Sequence, residues 1–133
     1  MKTLTFTGKR KKAIARAVAR AGTGIVRVNS QLLDAVEPKM IRLKMREPLL
    51  IAGEAGAVVD IDISVSGGGI VGQADAVRLA IAKSIVGFTK DKKLEKDFLE
   101  YDRHMLVADV RQREARKPNT HGNARGKTQK SYR

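Results

Sequence analysis

AVVDIDISVSGGGIVGQADAVRLAIAKSIVGF, residues Ala57–Phe88, decides the fold. Along residues 57–66 the apolar side chains alternate with polar ones. Val59, Ile61, Ile63 and Val65 fall on one side, and Asp60, Asp62 and Ser64 on the other. A period of two is the mark of a β-strand with one buried and one solvated face. After Gly67, Gly68 and Gly69 the period changes. Ala74, Val77, Ile81, Ile85 and Phe88 recur at helical spacing, with Leu79, Ala82 and Val86 widening the stripe. This predicts a helix from Val71 to Phe88 that packs on a sheet.

Two features of this stretch carry chemistry as well as structure. Asp60 and Asp62 at i and i+2 could hold a metal, but no His or third carboxylate stands at a suggestive spacing. The solvated face of a half-buried strand, paired with cations from a neighbouring strand, accounts for them better. The glycine junction Gly67–Gly69 is a candidate phosphate-contacting loop, because exposed N–H groups and a helix N-terminus attract anions. Glycines needed for a tight turn or a close backbone approach explain it equally well. No Gly-Lys-Ser/Thr follows, so this is not a nucleotide-binding P-loop.

Working outward, Thr3–Thr7 alternates as a strand that Gly8 is expected to break, followed by the basic cluster Lys9, Arg10, Lys11 and Lys12. Ala13–Ala21, AIARAVARA, has helical composition but strict alternation, with Ile14, Arg16, Val18 and Arg20 on one face and alanines on the other. Gly22–Gly24 resembles a hairpin turn, so residues 12–21 are read as a strand paired with Ile25–Val28. Asn29 or Ser30 would cap a short helix, Gln31–Val36. A second helix starts at Pro38 and ends near Glu47-Pro48. Lys90–Glu100 is expected to be a charged helix with Leu94, Phe98 and Leu99 facing inward. Met105–Ala108 reads as a last buried strand. His104 has no nucleophile placed with it and reads as structural or RNA-contacting, and His121, among Gly and Asn of the tail, as a backbone-contacting polar group.

Charge is distributed unevenly. The chain of 133 residues carries a net +13; residues 1–20 hold +7, residues 111–133 hold +7, and the middle is near neutral at −1. A near-neutral middle, residues 21–110, thus bears two cationic ends, one inside the globular domain expected over 1–110 and one in the tail 111–133, and a polyanion is the expected partner, nucleic acid foremost. The last segment, RQREARKPNTHGNARGKTQKSYR, cannot bury enough apolar surface to offset its ordering entropy alone. Extended, it would reach on the order of 75 Å. Cysteine is absent, which excludes disulfides and thiolate metal sites. No apolar run reaches the roughly 18 residues of a membrane helix, and no signal-peptide core opens the chain. A soluble cytoplasmic protein without membrane contact is expected.

Several of these stretches carry a resemblance. GKRKKAIARAVARAGTGIVRVN (8–29), SGGGIVGQADAVRLAIAKSIV (66–86), LEYDRHMLVADVRQREARKP (99–118) and the terminal QKSYR (129–133) resemble the small ribosomal subunit protein nine family in its archaeal and eukaryotic form. The resemblance implies an α+β fold. A small mixed sheet would carry helices on one face, as in the left-handed βαβ arrangement of the second domain of ribosomal protein five, with an extended basic C-terminal tail. It implies a non-enzymatic constituent of the small-subunit head that binds rRNA beside neighbouring proteins, with no small-molecule substrate, cofactor or metal. It implies anchoring in rRNA by Lys9–Lys12 and Arg16, and by Arg111, Arg113, Arg116 and Lys117 at the tail root. Arg125 and Lys127 fall on basic tail positions, and Lys130, Ser131, Tyr132 and Arg133 on the tip that approaches the peptidyl-site tRNA. Pro118–His121 departs from a segment that is Gly-rich in the family. The alternatives are a free-standing RNA-binding protein or RNA chaperone, or a kinase-like enzyme of related fold, for which the chain offers no convincing base.

Overall fold

The computed structural model describes residues 2–119, 122, 124 and 125. The strands are β1 (Thr3–Arg10), β2 (Ala13–Ala21), β3 (Val26–Val28), β4 (Gln31–Leu32) and β5 (Val59–Ser66). The helices are α1 (Lys39–Ala52), α2 (Ile70–Thr89) and α3 (Lys92–Tyr101). The five strands form one mixed sheet in the order β1-β2-β5-β3-β4; β3 runs parallel to β5 and the other neighbours are antiparallel. The connection from β3 to β5 carries α1, so these elements form a βαβ unit. The fold is α+β, as the resemblance implies.

β2 shows why an alanine-rich segment becomes a strand. Ala13, Ala15, Ala17 and Ala19 are fully buried, while Arg16 and Arg20 lie on the exposed face. α2 lies across β1, β2 and β5 on the alanine side, and only small residues let a helix approach so closely. Helix propensity is overridden because β2 sits between two strands that satisfy its backbone on both edges. The predicted pairing of this strand with Ile25–Val28 is incorrect. β2 pairs with β1 and β5, and Gly22–Ile25 is a connection that crosses to the far side of β5. Asp60 holds that connection. Its Oδ1 accepts from the backbone N–H groups of Thr23, Gly24 and Ile25 at 2.9, 3.0 and 2.9 Å. The Ile25 N–H contributes most to holding the Asp60 pKa below the ordinary carboxylate value. The Thr23 and Gly24 N–H groups and nearby Arg20 add to it against partial desolvation.

Gly8 does not break β1, which continues to Arg10. A Cβ there would collide with the Ala76 carbonyl oxygen and the Ala80 nitrogen of α2, so the glycine serves a close helix–strand approach. Asn29 is not a helix cap: its amide donates to the Val65 carbonyl at 3.2 Å and accepts from the Val65 N–H at 2.9 Å, extending the β3–β5 ladder with a side chain. The segment expected as a short helix is β4 followed by a 3₁₀ turn at Leu33–Ala35. α1 runs through Pro48 to Ala52 rather than stopping at it; Pro48 is buried and Gly53 closes the helix by donating to the Leu49 carbonyl. Burial of that stretch against α2 outweighs the one lost backbone bond.

α2 matches its predicted span to within a residue at each end. Leu94 and Phe98 of α3 are buried, but Leu99 is 41% exposed, because adjacent helical residues diverge by about 100°. Asp91 caps α3, accepting from Lys93 and Leu94 N–H. The final strand expected at Met105–Ala108 is absent. Arg103–Met105 is a 3₁₀ turn instead, and its fully buried Met105 plugs the helix layer. Among the described residues, all helices lie on one side of the sheet and leave the other side open.

Candidate nucleic-acid interface

The β1–β2 hairpin turns over Lys11 and Lys12. The basic cluster is therefore a hairpin tip, and strand parity divides its members. Lys9 stands on the open face opposite Ile14, while Arg10 turns toward the helices. There Arg10 Nη1 pairs with Asp109, and its Nε lies 3.7 Å from Asp75, which also receives Lys44 Nζ at 2.7 Å. Asp109 keeps only 8% of its side chain exposed. It also binds Arg111, whose Nη2 and Nε lie 2.7 and 2.9 Å from Oδ2. One carboxylate thus ties the end of β1 to the root of the tail.

This clasp borders a cleft of about 490 Å³ in which cations and anions alternate. Arg78 of α2, 8% exposed, is gripped by Glu47 at 2.8 and 2.7 Å and by Asp102 at 3.1 Å. Desolvation opposes ionisation of Asp102, but the His104 N–H and the Arg78 guanidinium outweigh it and hold its pKa below the ordinary value. His104 has a local role, its N–H donating to Asp102 at 3.0 Å. Apart from Lys9, which has no ion-pair partner among the described residues, the cations of this cleft are paired with its own carboxylates.

The neighbouring cleft, about 530 Å³, is different. It is lined by Lys11, Lys12, Arg111, Gln112 and Arg113, with no carboxylate among them. Two cationic segments about one hundred residues apart in sequence meet there. Arg113 and Arg116 are exposed, and neither Lys11, Lys12 nor Arg113 has an ion-pair partner among the described residues. Arg111 is shared with Asp109. Lys117 is exposed and engaged in an interaction of its own. Arg125 rests on Glu114, with Nη2 and Nε at 2.6 and 3.0 Å from its carboxylate. Lys127, Lys130, Ser131, Tyr132 and Arg133 lie outside the described residues, as does His121.

Gly67 and Gly68 adopt φ of +81° and +63° and press on Lys12 and Ala13, so a side chain at Gly67 would strike the Lys12 carbonyl oxygen. This is the close-approach role, and it puts the glycine junction directly behind the hairpin tip. Asp60 is taken up by backbone and Asp62 by Arg20; among the described residues no cluster of His, Asp and Glu is placed to hold a metal. Arg16 stands on the open sheet face beside Ser64. Asp109 and Asp75 escaped the sequence reading. The one signal for Asp109 was a lone acid in LVADVR, just before the basic tail.

A profile of the family "Ribosomal protein S9/S16" matches residues 8–133. The chain belongs to that family. Among similar chains, the small ribosomal subunit protein uS9 of Methanothrix thermoacetophila is 50% identical over 133 residues, and that of Methanococcus maripaludis strain C5 is 49% identical over 134, each alignment covering all of both chains. The uS9 of Methanococcus vannielii is 46% identical over the same full extent. Members of this family are structural, non-enzymatic constituents of the small ribosomal subunit, and so is this chain. The kinase-like alternative is thereby removed, and the ribosomal reading is favoured over a free-standing RNA-binding protein.

Proposed function

We propose that the chain holds small-subunit rRNA at the cleft between the hairpin tip and the tail root, and that the tail beyond it reaches the peptidyl-site tRNA. The observation that carries the first part is the convergence of Lys11, Lys12, Arg111 and Arg113 in a cleft without acids. Lys and Arg there contact phosphate, release counterions and fix orientation without reading sequence. Lys9 and Arg16 extend the surface on the sheet side, Gly67–Gly69 extend it behind Lys12, and Arg116, Lys117, Arg125 and Lys127 continue it along the tail. Arg10 works indirectly, through Asp109, by aiming the tail. The tip, Lys130–Arg133, supplies charge and the one tail aromatic at the tRNA anticodon stem-loop. Neighbouring proteins of the subunit head complete the surroundings, in the cytoplasm.

The test is a salt titration of RNA binding by the full chain and by the Lys11→Gln/Lys12→Gln/Arg113→Gln variant. Loss of three phosphate contacts should reduce the log–log salt slope by roughly 2; an unchanged slope refutes the cleft. For the tip, removal of Ser131–Arg133 should weaken peptidyl-site tRNA binding by reconstituted subunits while assembly proceeds. Undiminished tRNA affinity rules the tip out.

A further inference from the structure

Among the described residues, no helix lies over the open face of the sheet. A solvated face is ordinary for a largely antiparallel sheet, but the charges here are not balanced against each other in an ordinary way. Both of its carboxylates are already committed: Asp60 to three backbone N–H groups, and Asp62 to Arg20. Two arginines are left over. Arg16 of β2 and Arg27 of β3 are exposed and have no partner among the described residues. β2 and β3 flank β5 on either side, with Arg16 in register with Ser64 and Arg27 with Asp62. The two guanidiniums border one concavity of about 520 Å³, whose rim also carries the Ser30 and Ser64 hydroxyls and the Asp62 carboxylate.

We infer that this concavity is a second RNA site, taking the sugar–phosphate backbone of one strand laid along β5. The inference rests on the RNA-binding reading above. Charge complementarity points to an anion, since the acids are occupied and the unpaired groups are planar cationic forks suited to phosphate oxygens. Asp62 faces the site as well, but Arg20 neutralises it. Backbone rather than bases is indicated by the outward strand residues, which include Thr3, Thr5, Thr7, Lys9, Ile14, Val18, the two aspartates, the arginines and the serines, with no aromatic ring among them for a base to stack on. Hydroxyls beside arginines fit phosphate and 2′-OH. This site faces the opposite side of the sheet from the helices, so RNA would meet the protein on two surfaces that share only the hairpin.

The absence of cysteine in the chain permits a direct test. Ser64→Cys and, separately, Gln112→Cys are each derivatised with an iron chelate that generates hydroxyl radicals, and small subunits are reconstituted with either protein. Cleavage of rRNA from position 64 at a backbone segment distinct from that cut from position 112 is expected. In parallel, Arg16→Gln/Arg27→Gln should lower the salt slope of RNA binding by roughly 1.4. Cleavage from position 112 alone, with an unchanged slope, overturns this inference and leaves the cleft reading intact; the sheet face would then be covered by a protein neighbour or by solvent. No cleavage from either position overturns both.

Discussion

Asp109→Ala removes the carboxylate shared by Arg10 and Arg111. The Arg111 half of the clasp is worth little, because that guanidinium is 73% exposed and water replaces its partner. The Arg10 half matters more. Arg10 is 20% exposed and Asp109 8%, so the cost approaches that of stranding a buried charge, about 3–5 kcal/mol in full burial. Arg10 retains Asp75 at 3.7 Å and some water. Discounting for both gives about 2 kcal/mol, or roughly a 30-fold rise in local opening. The unit that opens is the tail root, since only loop and half-buried residues surround it. Limited trypsin digestion reads this directly, because cleavage tracks the opening equilibrium when reclosing is fast. Cleavage after Arg111 should accelerate roughly 30-fold, while cleavage after Arg116, beyond the clasp, stays constant and serves as the reference. Arg10→Gln should give a similar acceleration, and the double variant little more, since the two changes break one interaction. Equal acceleration at both sites would mean global unfolding, and no acceleration would mean that the ion pair holds nothing; either refutes the clasp.

Gly8→Ala should destabilise the protein by at least about 1–3 kcal/mol, because the new methyl meets helix backbone that cannot yield as a side chain would; a urea midpoint within error of the parent contradicts that close approach. Asp60 has a depressed pKa in the folded state, so the unfolded chain binds its proton first as pH falls. The stability it contributes is present above the unfolded carboxylate pKa and is lost as pH drops through the folded value. Urea unfolding of the parent and Asp60→Asn should therefore show a gap at pH 7 that closes in acid; a gap independent of pH would refute the backbone-capping role.

What could be read along the chain follows from how local the cause is. β5 and α2 were legible because burial on one side imposes a period, and Val59, Ile61, Ile63 and Val65 or Ala74, Val77 and Ile81 record it directly. Leu99 was misplaced because an apolar residue one position from the buried stripe looks the same in sequence. Pro48 was misread as a helix end because the burial that retains it comes from α2, far along the chain. The site divides in the same way. The hairpin tip and tail root were legible as charge runs, whereas Asp109, Asp75 and Arg27 were single residues without pattern.

The sequence by itself determined the alternation of β2 and β5, the helix of α2, the segregation of charge to both ends and the family, since each is a property of neighbouring residues or of aligned motifs. The tertiary structure alone decided that β2 pairs with β1 and β5 and not with β3. A glycine turn permits a hairpin without specifying its partner, whereas Asp60 draws Gly22–Ile25 across β5 by three hydrogen bonds from residues 35–37 positions away. It also decided which cations face outward. Charge counting treats Arg10 and Lys11 alike, but strand parity turns Arg10 toward Asp109 while the hairpin turn leaves Lys11 at the open cleft.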